Sequence, residues 1–276
     1  MTSDRARTYP PGVTCWVDTE QPDVDAALDF YGGLLGWSFT EAMPPEAPGR
    51  YVIASLEGQD VAAIGGPADG EPTWSTYVAV ADADEATARL AGLGATVVSA
   101  PTDAGPGGRS AVLRDPEGVE VRLWQARRRL GAQMANLPGA WNFSNLHTAD
   151  LDAAQEFYGP AFGWVFADQG WATSIQVPGY GDHLESTIDP DIRTRQEQAP
   201  EGFEDVIGAA VPTDGTPRWE VVFTVEDRDA TAARALELGG TVLATADEEW
   251  TRTAQVRDPQ GAVLTLSQFA PPTSWD

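Results

Sequence analysis

The chain contains no lysine, one cysteine and two histidines among its 276 residues, and each scarcity removes a class of chemistry. Without lysine there is no Schiff-base nucleophile, no lysine general base and no P-loop lysine. Cys15 cannot form an internal disulfide, which fits a reducing compartment. It has no basic or histidine neighbour in sequence, so it reads as a packed core thiol, not a reactive one. His147 and His183 are the only imidazoles, and nothing in the sequence marks partners for a serine–histidine–aspartate arrangement. A Gly-x-Ser-x-Gly elbow, a dinucleotide fingerprint and a Cys-x-x-Cys pair are all missing. No apolar run is long enough to cross a bilayer. The opening Met1-Thr2-Ser3-Asp4-Arg5 lacks the apolar core of a signal peptide, so the expected location is cytoplasmic.

What is abundant is negative charge: 42 acidic residues against 17 basic ones, a formal net charge of −25. Such a surface repels phosphate backbones, so neither nucleic acid nor membrane is expected as a partner. Small cations are drawn to it instead. A hydrophobic fraction of 42% is enough for packed cores.

The chain is an internal duplication. Asp25-Ala26-Ala27-Leu28-Asp29-Phe30-Tyr31-Gly32 recurs as Asp152-Ala153-Ala154-Gln155-Glu156-Phe157-Tyr158-Gly159. Gly36-Trp37-Ser38-Phe39 follows the first copy and Gly163-Trp164-Val165-Phe166 the second, at the same spacing. Trp74, Asp82 and Gly94 match Trp219, Asp227 and Gly239; Asp115-Pro116-Glu117-Gly118 matches Asp258-Pro259-Gln260-Gly261. Between the copies, Arg127-Arg128-Arg129 and Gly131 interrupt the pattern and read as a linker lying on an acidic body.

Each copy reads as strand, helix, strands, then the same again. In the first copy, strands are expected at 13–19, 51–56, 61–64, 75–80, 110–114 and 119–124. Helical spacing links Val24, Ala27, Tyr31 and Leu34, and later Ala83, Ala86, Leu90 and Leu93. Asp115-Pro116-Glu117-Gly118 suits a type I turn between the last two strands. The second copy carries about 25 extra residues at 178–203, well beyond ordinary loop length, and their Gly, Pro and Asp content predicts an irregular loop.

The order of strand, Asp-Ala-Ala-x-x-Phe-Tyr, Leu-Gly-Trp (Phe-Gly-Trp in the second copy) and Asp-Pro-x-Gly resembles the glyoxalase/bleomycin-resistance/dioxygenase (vicinal oxygen chelate) superfamily, twice over. It is similar to tandem members of the mycobacterial secreted-antigen type and to anthracycline-pathway accessory proteins. The resemblance implies an α+β fold of two tandem domains, each of paired βαβββ units with curved mixed sheets around a cleft. The boundaries would be 1–127 for the first domain, 128–138 for the linker and 139–276 for the second domain with its inserted loop. It also implies a cleft metal held by His, Glu or Gln from three strands. The matching positions here are Trp16 and Phe143 on the first strands, Ser75 and Glu220 opening the second units, and Arg122 and Thr265 on the last strands. Only Glu220, and more weakly Asp18, offers a ligand, against the three that a catalytic metal needs. No metal and no cofactor is therefore expected.

With strand alternation, Trp16 and Asp18 face the cleft while Cys15 and Val17 face the helix; Glu120 and Arg122 share the cleft face of the last strand. The candidate ligand-binding residues are Trp16, Asp18, Ser75, Tyr77, Glu120, Arg122, Phe143, Asn145, His147 and Glu220. Aromatics with nearby carboxylates suit a flat, partly cationic aromatic ligand. The expected function is non-catalytic sequestration of an anthracycline-like natural product, giving self-resistance or supporting a biosynthetic partner enzyme. Two alternatives stand beside it. One is a metal-independent tailoring enzyme using Asp18, Glu120 or Glu220 as acid or base. The other is a glyoxalase-like metal-dependent lyase.

Overall fold

A computed structural model describes residues 6–170, 172–197 and 199–271; Met1–Arg5, read above for a leader, lie outside the described residues. The first half of the chain runs β1 (Thr14–Glu20), α1 (Val24–Leu35), β2 (Ser38–Glu41), β3 (Arg50–Leu56), β4 (Gln59–Gly66), β5 (Trp74–Ala79), α2 (Ala83–Gly92), β6 (Thr96–Ala104), β7 (Gly108–Arg114) and β8 (Glu120–Ala126). The second runs β9 (Trp141–Thr148), α3 (Leu151–Phe162), β10 (Val165–Asp168), β11 (Thr173–Gln176), α4 (Tyr180–Thr187), α5 (Ile192–Arg195) and a 3-10 turn at Phe203–Asp205. It continues with β12 (Val206–Pro212), β13 (Arg218–Thr224), α6 (Arg228–Glu237), β14 (Thr241–Asp247), β15 (Thr251–Arg257) and β16 (Val263–Phe269). Each half contributes one eight-stranded mixed sheet, in the orders β2-β3-β4-β1-β5-β8-β7-β6 and β10-β11-β12-β9-β13-β16-β15-β14. The α+β reading of the sequence is the fold observed.

Local chemistry sets the helix ends. Asp23, Asp82, Asp150 and Asp227 stand at the N-caps of α1, α2, α3 and α6, each accepting a backbone N–H three residues on. That satisfies an otherwise orphaned donor and sets a negative charge against the positive end of the helix dipole. Gly36 and Gly163 close α1 and α3 in left-handed C-caps, which is why the repeated motif carries glycine before tryptophan. The apolar face expected for α1 is buried at Val24, Ala27, Tyr31 and Leu34, and that of α2 at Ala83, Ala86 and Leu90.

Packing gathers the chain into two compact units. The first takes residues through Trp16, Thr76–Gln133 and Ser144–Trp219; the second takes Val17–Ser75, Met134–Phe143 and the residues from Glu220 onward. Each unit therefore joins one strand–helix–strands module from each half of the sequence, and the repeated motifs do the joining. In the second unit Tyr31 of α1 donates its phenol proton to Asp258 Oδ2 at 2.8 Å, and Gln21 Nε2 donates to the same oxygen at 2.9 Å. The other oxygen of Asp258 accepts the N–H groups of Gln260, Gly261 and Ala262. In the first unit Tyr158 of α3 donates to Asp115 Oδ2 at 2.8 Å, while Asp115 Oδ1 accepts from Glu117 and Val119. The Asp-Pro-x-Gly turn of one half is thus pinned to the Phe-Tyr helix of the other.

The paired tryptophans act the same way. Trp37 Nε1 donates to the Gly139 carbonyl and Trp164 Nε1 to the Gly12 carbonyl, both at 2.7 Å. Gly12 and Gly139 have φ of +93° and +83°, and a Cβ at either would fall 2.5 or 2.7 Å from the carbonyl oxygen of Phe162 or Leu35. Only glycine fits where the chain passes so close to the helix end. Arg89 and Arg234 repeat the pattern on the helices: Arg89 Nε donates to Ala161 O at 3.1 Å and Arg234 Nε to Gly33 O at 3.2 Å.

The structure corrects the sequence reading at three places. β2 and β6 were not anticipated; β2 is four residues long and β6 is almost wholly exposed, so neither shows an apolar alternation. The insertion at 178–203 is helical, not irregular. Tyr180 and Leu184 of α4 and Ile192 of α5 are buried in the core of the first unit. Arg193 pairs with Asp182, Glu185 and Glu204, and Asp205 accepts the N–H groups of Gly179 and Gly181 at the start of α4. His183 is half-buried, with Thr8 Oγ1 3.1 Å and the Thr8 carbonyl oxygen 3.0 Å from its Nε2.

Two predictions follow from the pinned turns. Tyr31→Phe removes a donor from a buried carboxylate and the acceptor of Trp74 Nε1; it is expected to cost about 1.5–3 kcal/mol in chemical denaturation, and Tyr158→Phe a comparable amount. Burial holds the Asp115 carboxyl above its ordinary value, against the lowering effect of Tyr158 and the turn N–H groups. Between the ordinary value and the raised one, the folded state binds more protons than the unfolded state, so this group's contribution to stability falls as pH rises through that window. Wild type should therefore gain stability relative to Asp115→Asn as pH is lowered from 7 towards 4 in paired melting curves. A difference independent of pH would remove the assignment.

Candidate functional site

Trp16, Tyr77, Glu120, Arg122, Asn145 and His147 belong to the first unit, and Asp18, Ser75, Phe143 and Glu220 to the second. The clearest constellation lies on the adjacent parallel strands β5 and β8 of the first unit, where Tyr77 registers opposite Arg122. Arg122 Nη1 donates to the Tyr77 hydroxyl at 3.0 Å, and its guanidinium carbon is 5.6 Å from the Tyr77 ring centroid. Arg122 Nε donates to Glu120 Oε1 at 2.7 Å, with the arginine side chain 16% and the glutamate 38% exposed. Trp124 meets Tyr77 edge to face, with ring centroids 6.4 Å apart. Glu120, Arg122 and Trp124 are two residues apart along one strand, so the pleat sets all three on one face. Trp124 escaped the sequence reading although that same alternation marks it.

This arrangement offers a rigid aromatic pair, a fork of guanidinium donors and a half-exposed carboxylate. Rings stack on an aromatic, the guanidinium donates to ketone or phenolate oxygens, and the carboxylate accepts from an amine. The other candidates of this unit lie elsewhere on its strands. Asn145 Oδ1 accepts the Ala209 N–H at 3.0 Å, stitching β9 to β12. His147 registers against Val211 on the same pair of strands, and Trp16 is buried in β1.

In the second unit, Asp18 is 1% exposed on β1 and accepts the Tyr51 hydroxyl proton at 2.8 Å. Tyr51, on β3, was not among the expected residues; its hydroxyl reaches across the intervening β4, a contact that no sequence spacing encodes. Glu220 Oε1 accepts from Thr265 Oγ1 at 2.7 Å across the parallel pair β13–β16. Ser75 is buried and Phe143 half-buried.

A divalent metal does not fit these residues. Trp16 and Phe143 carry no ligating atom, Arg122 is itself a cation, and Thr265 is engaged by Glu220. Among the described residues, no group of three His, Cys, Asp or Glu side chains could hold an ion. Among them too, no helix is long and apolar enough to cross a membrane. Cys15 is fully buried and burial pushes its thiol well up, which opposes thiolate chemistry.

Comparison with known proteins agrees with the duplication. The sequence pattern of the Glyoxalase/Bleomycin resistance protein/Dioxygenase superfamily matches residues 21–123, and that of a Glyoxalase-like domain matches 144–267. The chain is 35% identical over 278 residues to the anthracycline biosynthesis protein DnrV of Streptomyces peucetius, covering 95% of this chain and 94% of that one. It is 33% identical over 271 residues to CFP32 of Mycobacterium bovis, covering 95% and 97%. Among solved structures, the fold is shared with the 2,3-dioxygenase LapB of Pseudomonas sp. KL28 at a TM-score of 0.61, 12% identity, and 96% coverage of each chain. It is shared too with a Mn(II)-bound glyoxalase from Novosphingobium aromaticivorans at a TM-score of 0.60, 15% identity, covering 94% of this chain and 82% of that one. Repeat, sheet order and full-length similarity agree: the chain belongs to the glyoxalase/bleomycin resistance protein/dioxygenase superfamily and carries its domain twice.

Proposed function

We propose that this protein binds a small, flat, oxygen-rich aromatic natural product of the anthracycline kind, within a secondary-metabolite pathway, and acts by holding it and not by transforming it. The observation that carries the reading is the group Tyr77, Trp124, Arg122 and Glu120, which combines stacking surface with a cation and an anion on one strand pair. Full-length similarity to anthracycline biosynthesis proteins of two Streptomyces strains supports the ligand class. Sequestration would protect the producing cell or relieve a biosynthetic partner enzyme of inhibition. Stacking on an aromatic contributes roughly 0.5–1.5 kcal/mol beyond burial of area, and charge-assisted hydrogen bonds contribute more.

The test is quenching of tryptophan fluorescence by an anthracycline bearing an amino sugar and by its uncharged aglycone. Saturable binding at micromolar concentration or below is expected for both. Arg122→Ala should weaken both at least tenfold, whereas Glu120→Gln should weaken only the amino-sugar form. Absence of saturation into the high micromolar range, or Arg122→Ala binding like wild type, overturns the proposal.

A second reading rests on Asp18. A carboxylate buried to 1% exposure and bonded to the Tyr51 phenol has the composition of a general acid–base pair in a metal-independent tailoring reaction. Turnover of an aromatic polyketide by purified protein, lost in Asp18→Asn, would favour it over simple binding.

A further inference from the structure

We propose that the free edge of β14 pairs antiparallel with β14 of a second copy of this chain, giving a two-fold symmetric dimer. This surface is separate from the candidate site, and the proposal does not depend on the ligand reading.

β14 ends its sheet. Its hydrogen-bonded partner is β15, and six of its seven residues are exposed. An edge strand offers a row of N–H and C=O groups to any other strand, and proteins usually blunt such an edge with charge, proline or a bulge. On a chain of net charge −25, β14 carries no charged residue from Thr241 to Ala246 and no proline, and Leu243 is 38% exposed at its middle. Its register against β15 breaks once, between Val242 and Ala244. The corresponding edge of the other sheet is defended differently. β6 contains Pro101, which has no N–H to offer, and its register breaks twice. Asp103, near its end, is tied to Arg109 and Arg127.

Charge selects both the partner and the pairing sense. At the start of β14, Thr241 faces Arg257 on β15, an exposed arginine with no ion pair among the described residues. The other end runs into Asp247, Glu248 and Glu249. Arg228 takes Asp247 at 2.7 Å and Arg252 lies across from it on β15, so Glu248 and Glu249 outweigh the one remaining arginine and leave the hairpin tip net acidic. Parallel pairing of two copies would set acid against acid and leave Arg257 with no acid from the other copy. Antiparallel pairing about Ala244 sets the Glu248–Glu249 tip of each copy beside Arg257 of the other, and it alone closes under two-fold symmetry. One strand pair buries less than the ~800 Å² per partner of a standard interface, so a weak, concentration-dependent dimer is expected.

Sedimentation equilibrium of the full chain from 1 to 200 µM tests this. Wild type should pass from 29.4 kDa to twice that mass with rising concentration. Leu243→Lys and Arg257→Glu should each raise the dissociation constant at least tenfold while leaving far-UV dichroism unchanged. Adding Glu248→Arg and Glu249→Arg to Arg257→Glu should restore dimerisation, because the swap exchanges charges between copies. Val97→Lys, on β6, should leave the dimer intact. A single 29.4 kDa species throughout, a dimer indifferent to both variants, or open-ended association relieved equally by Leu243→Lys and Val97→Lys would overturn the proposal.

Discussion

A tyrosine hydroxyl donating to a sequestered aspartate is the contact on which this architecture depends. It occurs once in each compact unit, from Tyr31 to Asp258 and from Tyr158 to Asp115, and each time it spans the duplication. The aspartate is constrained from both sides. Backbone N–H groups of its own turn occupy one oxygen, and the phenol occupies the other. Removing a carboxylate from water is costly unless its lone pairs are met, so the turn and the helix must arrive together. Burial and the neighbouring carboxylate hold both phenols well above their ordinary ionisation range, which keeps them donors. Residues that look like local turn and helix signals in the sequence therefore act over more than forty positions in one unit and more than two hundred in the other.

The two copies of this contact have diverged. Around Asp258, Gln21 adds a second donor and Trp74 Nε1 donates to Tyr31 at 3.1 Å, so the polar group sits in a closed aromatic cluster with Trp37 and Phe223. Around Asp115 the equivalent tryptophan, Trp219, packs against Tyr158 and Trp164, but its Nε1 is buried without a hydrogen-bond acceptor among the described residues. Glu117 compensates at the rim, accepting from the Thr148 hydroxyl and the Ala149 N–H. The first unit also carries the helical insertion, whose Tyr180 accepts from the guanidinium of Arg7 at 3.1 Å. Its added apolar burial offsets a less complete polar network.

Much of this frame was legible in the sequence, because it rests on periodicity and repetition. The buried faces of α1 and α2 follow a local rule that tertiary packing did not override, and the aspartate N-caps of both helices with the glycine that closes α1 obey local rules as well, although the sequence reading named only the faces. What escaped were features without a local signature. β6 has no alternation because neither of its faces is covered. The insertion looked irregular because of its Gly, Pro and Asp content, although Tyr180, Leu184, Ile188 and Ile192 recur every fourth residue and pack on the core of the first unit, a helical signal that the sequence reading passed over. The candidate site was half legible. Alternation set Glu120 and Arg122 on one face and the family resemblance named Glu220 and Thr265, but Tyr51, the partner of Asp18, comes from another strand, and only register supplies it.

That division explains how chemistry can change on such a scaffold. The contacts that fix the fold lie in helices, turns and strand ends, at Tyr31, Tyr158, Asp115, Asp258, Trp37 and Trp164. The candidate residues lie on strands, where a side chain can be exchanged without touching a ladder hydrogen bond. Arg122 illustrates the point. Its backbone keeps register with Tyr77 and Val112 while its side chain meets Glu120 and Tyr77. A guanidinium there cannot bind a cation, but it fixes the orientation of a phenol and offers a planar set of donors to oxygen-bearing ligands. The frame thus holds a strand pair in place and leaves its face free to trade coordination for stacking and hydrogen bonding.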